Sequence, residues 1–375
     1  MNRANPRATE RVNSNGDFHE DRLRATHEAT QPRALQEPGP PLSTACDLLD
    51  FLVSIGGTHT LSGQHNYIAA GNRYTERARE IAGRTPLVWG SDFSFMIDGH
   101  DPYRYFHCGP INASGYGGPD VHVLPDATAP GSRQRMVRTA VERHRAGHII
   151  TLMWHACFPT EGDTCAGQCI WTHERRPDAA TWRELTTPGT ALHAQWLEQV
   201  DRIAGYLGEL REAGVPVLWR PYHEMNGVWF WWCNKSGPEG FARLWIQMHE
   251  RFTQHHGLDN LVWVWNANAP RDRPGDEAYA YREFYPGGDY VDVLAADVYR
   301  NDYRQSHHDE LLELAEGRPI ALGEVGELPT PEILEQQPCW AWFMPWSPHI
   351  ESWCNPPEAV RTLYASPRVL ALEDI

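Results

Sequence analysis

The sequence predicts a closed (β/α)8 TIM barrel, and three observations predict it. Eight short apolar segments alternate with helical ones, which implies a parallel sheet. Nearly every apolar segment turns polar at its C-terminal end, where barrels of this kind collect their reactive side chains. No Gly-rich phosphate loop follows an early strand, which counts against the rival doubly wound open sheet.

Residues 1–41 are polar, Arg- and Glu-rich and broken by Pro, and read as a loosely ordered leader ahead of one barrel domain over 42–375. They hold no apolar h-region, so no signal peptide is read there. Residues 43–55 read as a helix with Leu48, Leu49, Phe51 and Leu52 on one face. Strand one spans 58–65, a helix 74–82 and strand two 86–92. The Gly/Pro-rich run 99–131 reads as a long loop, 133–146 as a helix and 148–155 as strand three. A second long loop covers 156–188. The helix over 189–213 is the clearest, because Leu192, Trp196, Val200, Ile203, Leu207 and Leu210 recur at helical spacing. Strand four starts at Val217, and a helix follows over 241–255. Strand five is 260–266, then come a short helix 276–284, strand six 292–299 and a helix 309–316. Strand seven is 319–324, followed by a helix 331–337, strand eight 340–346 and a closing helix 357–364.

Composition narrows the function. The formal charge of −16 argues against nucleic acid or an anionic membrane as partner and suits a neutral substrate. No apolar run approaches the roughly 18 residues of a membrane span. Sixteen Trp exceed what packing needs and favour a surface that stacks flat rings. The eight Cys permit disulfides, with about 105 pairings open. Cys157, Cys165, Cys169 and His173 could bind zinc, but their spacings match no common structural site, which ranks metal below a disulfide or free thiols. No cofactor is expected.

The segment from Val217 to Trp232 carries the chemistry. It starts apolar, turns polar at Arg220, Tyr222, His223, Glu224 and Asn226, and after Gly227 supplies Trp229, Phe230, Trp231 and Trp232. A carboxyl group at a strand end against aromatic rings suits sugar cleavage, because rings pack on pyranose C–H faces and apolar walls raise a carboxyl pKa. A structural Glu beside core tryptophans is the plain alternative. Glu324 ends strand seven, and on a barrel it shares the mouth with Glu224. Glycoside hydrolysis uses such a pair of carboxylates. Gly323 and Gly326 are expected to leave room for substrate, and the charge of Glu324 to hold the pKa of Glu224 up.

Four segments resemble glycoside hydrolase family 26. They are Arg220-Pro-Tyr-His-Glu-Met-Asn-Gly-Val-Trp-Phe-Trp-Trp, Asn260-Leu-Val-Trp-Val-Trp-Asn, Tyr285-Pro-Gly-Gly-Asp-Tyr-Val-Asp-Val and Ala321-Leu-Gly-Glu-Val-Gly. The likeness runs from about residue 61 to 346, and related barrel glycosidases usually carry Asn, not His, before the acid/base Glu. That family consists mostly of endo-β-1,4-mannanases, with some members acting on mixed-linkage β-glucan or β-1,3-xylan. The resemblance implies Glu224 as acid/base, Glu324 as nucleophile and Tyr299 as the tyrosine that hydrogen-bonds the nucleophile. It implies His155 and His223 at the sugar where cleavage occurs, Trp229 as a stacking ring, Trp346 as the platform after strand eight, and Trp171 as a further binding ring. Ser347 stands where some mannanases place an arginine, which leaves the next subsite and the balance of endo and exo action open.

Plain readings stand beside these. Tyr299, His155 or His223 taken singly reads as a buried, hydrogen-bonded core residue, and one or both of Trp263 and Trp265 as barrel packing. Gln64, His65 and Asp92 could simply close hydrogen bonds at the strand ends. Three classes follow: a retaining β-glycanase acting on a poly- or oligosaccharide, a non-catalytic carbohydrate-binding barrel, and a metal-dependent barrel hydrolase. The first is favoured, as a monomer without nucleic-acid or membrane partner. Its polymeric substrate suits a secreted or periplasmic compartment, while the chain shows no signal for one.

Overall fold

The computed structural model describes residues 42–67, 71–94, 96–98, 101–106, 129–162, 165–166, 170 and 176–375. The leader, Trp171, Cys169 and His173 lie outside them. Eight parallel strands close a barrel: β1 (Thr60–His65), β2 (Val88–Asp92), β3 (Ile149–Trp154), β4 (Val217–Pro221), β5 (Leu261–Asn268), β6 (Val293–Val298), β7 (Ile320–Val325) and β8 (Trp342–Phe343). Neighbours pair in sequence order from β1 to β7. Closure comes through β8, with Leu61 opposite Trp342 on one side and bridges Ile320–Trp340 and Val325–Pro345 on the other. Strand eight is shorter than expected, with regular pairing at Trp342 and Phe343 and single bridges at Trp340 and Pro345.

Helices fill the connections: α1 (Ala45–Ile55), α2 (Arg73–Ala82), α3 (Ala129–Arg145), α4 (Ala179–Leu185), α5 (Ala191–Glu212), α6 (Phe241–Glu250), α7 (Gln305–Ala315), α8 (Pro331–Gln336) and α9 (Pro357–Tyr364). In α5 the Thr190 side chain accepts the His193 N–H as N-cap, and the apolar stripe read from the sequence is the buried face. None of the helices among the described residues is long and apolar enough to cross a membrane.

Three connections differ from expectation. The loop over 156–188 contains α4, whose start is fixed by Asp178 accepting the Thr181 N–H. The helix expected over 276–284 does not form; only a 3-10 turn at Tyr281–Glu283 remains. Arg271 and Ala278 pair there as an antiparallel bridge, while the Arg271 guanidinium takes the Asp276 carbonyl and carboxylate. Those loop bonds, with the Tyr279 N–H and carbonyl bound to Asn226, outweigh local helix propensity. The loop after β2 likewise holds two short antiparallel strands, Met96–Asp98 and Asp101–Phe106, and the first pairs with Cys165–Ala166.

The barrel's two ends differ in chemistry. Near the strand starts, Leu61, Val88, Ile149, Leu218, Val262 and Ala321 pack with Leu48, Leu52 and Ile55 of α1 as one apolar cluster. The helix therefore seals the N-terminal end, entered through a capping box between Thr44 and Asp47. Gly90 makes room inside, since a Cβ there would lie 2.6 Å from Met344 Sδ. Leu52→Ala should cost about 2–5 kcal/mol through the cavity it leaves. Urea denaturation measures it, and a loss below about 1 kcal/mol would mean that α1 does not seal the core.

Candidate active site

The polypeptide bends sharply where β4 ends. Tyr222 and Glu224 adopt left-handed backbone angles, φ 47° and 55°, a strain of order 1–3 kcal/mol each for residues with a Cβ. Surrounding bonds hold the bend in place. Glu224 N–H donates to the Asn266 carbonyl at 2.7 Å, and the Glu224 carbonyl accepts from Gly227 N–H at 2.9 Å and Cys233 Sγ at 3.1 Å. Tyr222 Oη accepts the Trp196 indole N–H at 3.0 Å. The bend turns the Glu224 carboxyl group into the mouth.

Both carboxyls of the expected pair are buried there, with different partners. Glu224 accepts two N–H bonds, from Trp229 Nε1 at 2.5 Å and Asn268 Nδ2 at 2.6 Å. Glu324, on β7, accepts from the Tyr299 hydroxyl at 3.0 Å through Oε2. Its Oε1 has no hydrogen-bond partner among the described residues and faces Arg220 Nη1 at 3.7 Å and His223 Nε2 at 3.6 Å. Burial is the first cause acting on each acid and raises both pKa values. For Glu224, nearby Arg271 and the two N–H donors pull the other way. For Glu324, Arg220 opposes burial, but the neighbouring Glu224 adds to it, and the result is about 7. Burial is thus the leading cause at Glu224, and the repulsion between the two carboxylates, expected to hold Glu224 up, is mutual and acts on both acids.

Three histidines line the same mouth. His155 Nδ1 meets Asp92 Oδ2 at 2.5 Å, and the His155 backbone N–H meets Asp92 Oδ1, so the ring presents Nε2 to the site. Burial works against the Asp92 charge, but His155 and the Ser94 N–H outweigh it and hold Asp92 below the usual carboxylate range. Burial, then the neighbouring His155, Arg220 and His65, keep His223 neutral. The His155 and His223 rings meet edge-on at 4.4 Å, and His65 stacks on Trp346 at 3.9 Å. His65 Nδ1 bonds Ser347 Oγ at 2.7 Å, so the serine standing in for an arginine ties back into β1.

A third buried carboxyl, Asp297 on β6, was missed by sequence reasoning. Arg220 Nη1 donates to Asn266 Oδ1 at 2.5 Å, and Asn266 Nδ2 donates to Asp297 Oδ1 at 2.7 Å. Burial, then the charges of Glu324 and Glu224, push the Asp297 pKa well above the usual carboxylate range, which favours its protonated form. His223, Glu224 and Asp297 bring ligand-type atoms within 4.8 Å of one another. Both Glu224 oxygens already accept N–H bonds, and Arg220 and Arg271 add positive charge, an environment that disfavours a bound cation.

Other expectations resolve by packing. The space beside Gly323 and Gly326 is not left for substrate. Asn266 fills the first, where a Cβ would lie 1.9 Å from its Oδ1, and Tyr299 fills the second, with Cδ1 at 2.9 Å. Of the four rings after Gly227, Trp229 and Phe230 reach the site, while Trp231 and Trp232 are buried supports that donate to the Ala156 and His223 carbonyls. Trp263 and Trp265 are both core. Cys157 and Cys165 form a disulfide. Asn268 and Arg271 also escaped the sequence reading; the polar end of β5 was their one signal.

Comparison with known proteins agrees with this geometry. A family model described as glycosyl hydrolase family 26 matches residues 121–373. The chain is 30% identical to a mannan endo-1,4-β-mannosidase of Thermothelomyces thermophilus, over 97% of this chain and 69% of that one. It spans 44% of the length of mannan endo-1,4-β-mannosidase A of Piromyces sp., at 28% identity over 82% of its own residues. Among solved structures, GH26A of Muricauda sp. is 43% identical with a TM-score of 0.77, covering 88% of this chain and 97% of that one. A β-(1,4)-mannanase of Podospora anserina, GH26-CBM35, is 31% identical with a TM-score of 0.68, covering 92% and 71%.

Gly323→Ala tests the packing behind Glu324. The added Cβ forces Asn266 aside and breaks its bonds to Arg220 and Asp297. The expected loss is about 1–3 kcal/mol in denaturant unfolding. Unchanged stability would mean that Asn266 is not held where it is drawn.

Proposed function

The chain belongs to glycosyl hydrolase family 26, and from that premise we propose that it cleaves β-1,4-mannosidic linkages of mannan by double displacement with net retention. Glu324 Oε1 attacks the anomeric carbon as the bond to the leaving oxygen breaks, and Glu224 gives its proton to that oxygen. The products are a glycosyl ester on Glu324 and a shortened chain. Glu224, now ionised, takes a proton from water; the water oxygen bonds to the anomeric carbon and Glu324 departs as carboxylate.

The observation that carries this division of labour is the unequal solvation of the two acids. Tyr299 takes one oxygen of Glu324 and leaves Oε1 for attack, with Arg220 nearby to favour its charge. Glu224 is held by two N–H donors, each oxygen keeping a second lone pair for the travelling proton. His155 and His223 would contact the sugar at the cleavage point, and Trp346 would floor it with the face turned away from His65. Trp229 serves Glu224 first and a sugar second, and Trp171 is assigned from its sequence alone.

Incubation with galactomannan, mixed-linkage glucan and β-1,3-xylan, each with and without chelator, tests the reading. Manno-oligosaccharides should accumulate from the first, equally in both arms. Products from another polymer alone would reassign the sugar, and binding without cleavage would leave a carbohydrate-binding barrel. Glu324→Ala should abolish hydrolysis and, on an aryl glycoside with azide, give a glycosyl azide of inverted configuration. Glu224→Ala should lose most activity on polysaccharide and much less on aryl glycosides, whose leaving groups need no proton. Equal losses would give Glu224 another role.

Tyr299→Phe bears on pH. The tyrosine hydrogen bond favours ionised Glu324 and lowers its pKa; without the bond that pKa rises. Since Glu324 must be ionised to attack, the acid limb of kcat/KM should move to higher pH. A limb that stays in place removes Tyr299 from the nucleophile.

A further inference from the structure

We propose that Arg271 is a positioning residue for the acid/base, holding from one guanidinium both side chains that donate to Glu224. The inference rests on the proposed role of Glu224. Arg271 lies three residues beyond β5, and its Cζ stands 4.9 Å over the Trp229 ring. Its Nη1 donates to Asn268 Oδ1. Each of those partners donates its own N–H to a different Glu224 oxygen, Trp229 to Oε2 and Asn268 to Oε1.

Hydrogen-bond chemistry makes the arrangement directional. A guanidinium can only donate, so it must meet the oxygen of the Asn268 amide, and that turns the amide NH2 toward Glu224. With Arg271 gone, only Glu224 itself selects the amide orientation, and a protonated Glu224 can donate to the amide oxygen, so the flipped form becomes accessible. On Trp229, a cation over the ring face fixes the ring's tilt and hence the aim of its N–H. The guanidinium is itself held. Nε and Nη2 donate to the Asp276 carbonyl and carboxylate at 2.9 and 2.7 Å, and Arg300 takes the other Asp276 oxygen. Asn268 is anchored independently, its backbone N–H donating to Asn226 Oδ1 and its carbonyl accepting Asn226 Nδ2, both at 2.8 Å. Arg271 is thus left to set the side-chain amide.

The consequence falls on the step in which Glu224 must be ionised. Donors aimed at both oxygens, and a positive charge behind them, favour the carboxylate that activates water. The other groups facing Glu224 are His223 and Cys233 beyond β4, His155 beyond β3, Asp297 on β6, Tyr299 and Glu324. Arg271 differs from all of them in touching both donors.

Arg271→Met and Arg271→Lys, assayed on an aryl glycoside with a good leaving group, test this. Loss of the fork should slow hydrolysis of the glycosyl-enzyme, lowering kcat on the order of 10- to 100-fold. KM should fall with it as the intermediate accumulates. In Arg271→Met the acid limb of kcat should also move to higher pH, because Glu224 must be ionised to activate water and a favourable charge beside it is gone. Arg271→Lys should keep the limb near its place but not recover kcat, since a point charge cannot orient an amide and a ring together. Asn268→Ala supplies the closing arm: in that background Arg271→Lys should cost less than it does alone. Wild-type kcat in Arg271→Lys, or full additivity with Asn268→Ala, overturns the proposal. If Arg271→Met melts below the assay temperature, the Lys and Ala arms decide it. Equal losses on polysaccharide and aryl glycoside in Glu224→Ala would instead undo the role of Glu224 itself, a separate failure.

Discussion

Three carboxyl groups buried in one mouth set the terms for everything around them. Glu224, Asp297 and Glu324 cannot all carry charge in a low-dielectric site with a single buried guanidinium, Arg220, beside them. The fold resolves this by giving each a different neighbourhood. Asp297 is pushed toward its protonated form, Glu324 has Tyr299 and Arg220, and Glu224 has two N–H donors. Neutral His223 follows from the same constraint, since burial and adjacent positive groups deny it a proton. Asn266 links the pieces, accepting from Arg220 and donating to Asp297, and Gly323 exists to let it fit.

Part of the aromatic load serves the same constraint. Removing water raises the stakes of every polar contact, and it takes large rings to exclude it. Phe230 and Trp232 pack against His155 and His223, Trp231 packs behind Trp232, and the two indole N–H groups donate to backbone carbonyls. The sixteen Trp report mainly on core packing, as at Trp219, Trp245 and Trp265, and only at Trp346 and Trp229 on how the site could hold a sugar.

Much of this was legible in the sequence, and what was not has physical reasons. Strand and helix order could be read because both periodicities are strong, as in the Leu192 to Leu210 stripe of α5. Glu224 and Glu324 announced themselves by ending apolar strands. The helix expected over 276–284 failed because Arg271 clamps Asp276 and Asn226 takes both backbone groups of Tyr279, contacts that helix propensity cannot foresee. Asp297 hid inside an apolar strand, where one acid reads as a strand-end polar residue. The pairing of Asp92 with His155 joins residues 63 apart in sequence, and no spacing rule reaches across two strands. Which way an amide such as Asn268 faces is a property of its neighbours alone.

The seal that α1 makes over the N-terminal end has an evolutionary consequence. The apolar cluster around α1 lies at one pole of the barrel and the reactive groups at the other, so changes at the site need not disturb that cluster. Loops at the reactive pole can lengthen, shorten or exchange side chains without loosening the apolar cluster around Leu52. A lineage built on this plan can therefore change which polymer it grips while keeping the same folded frame.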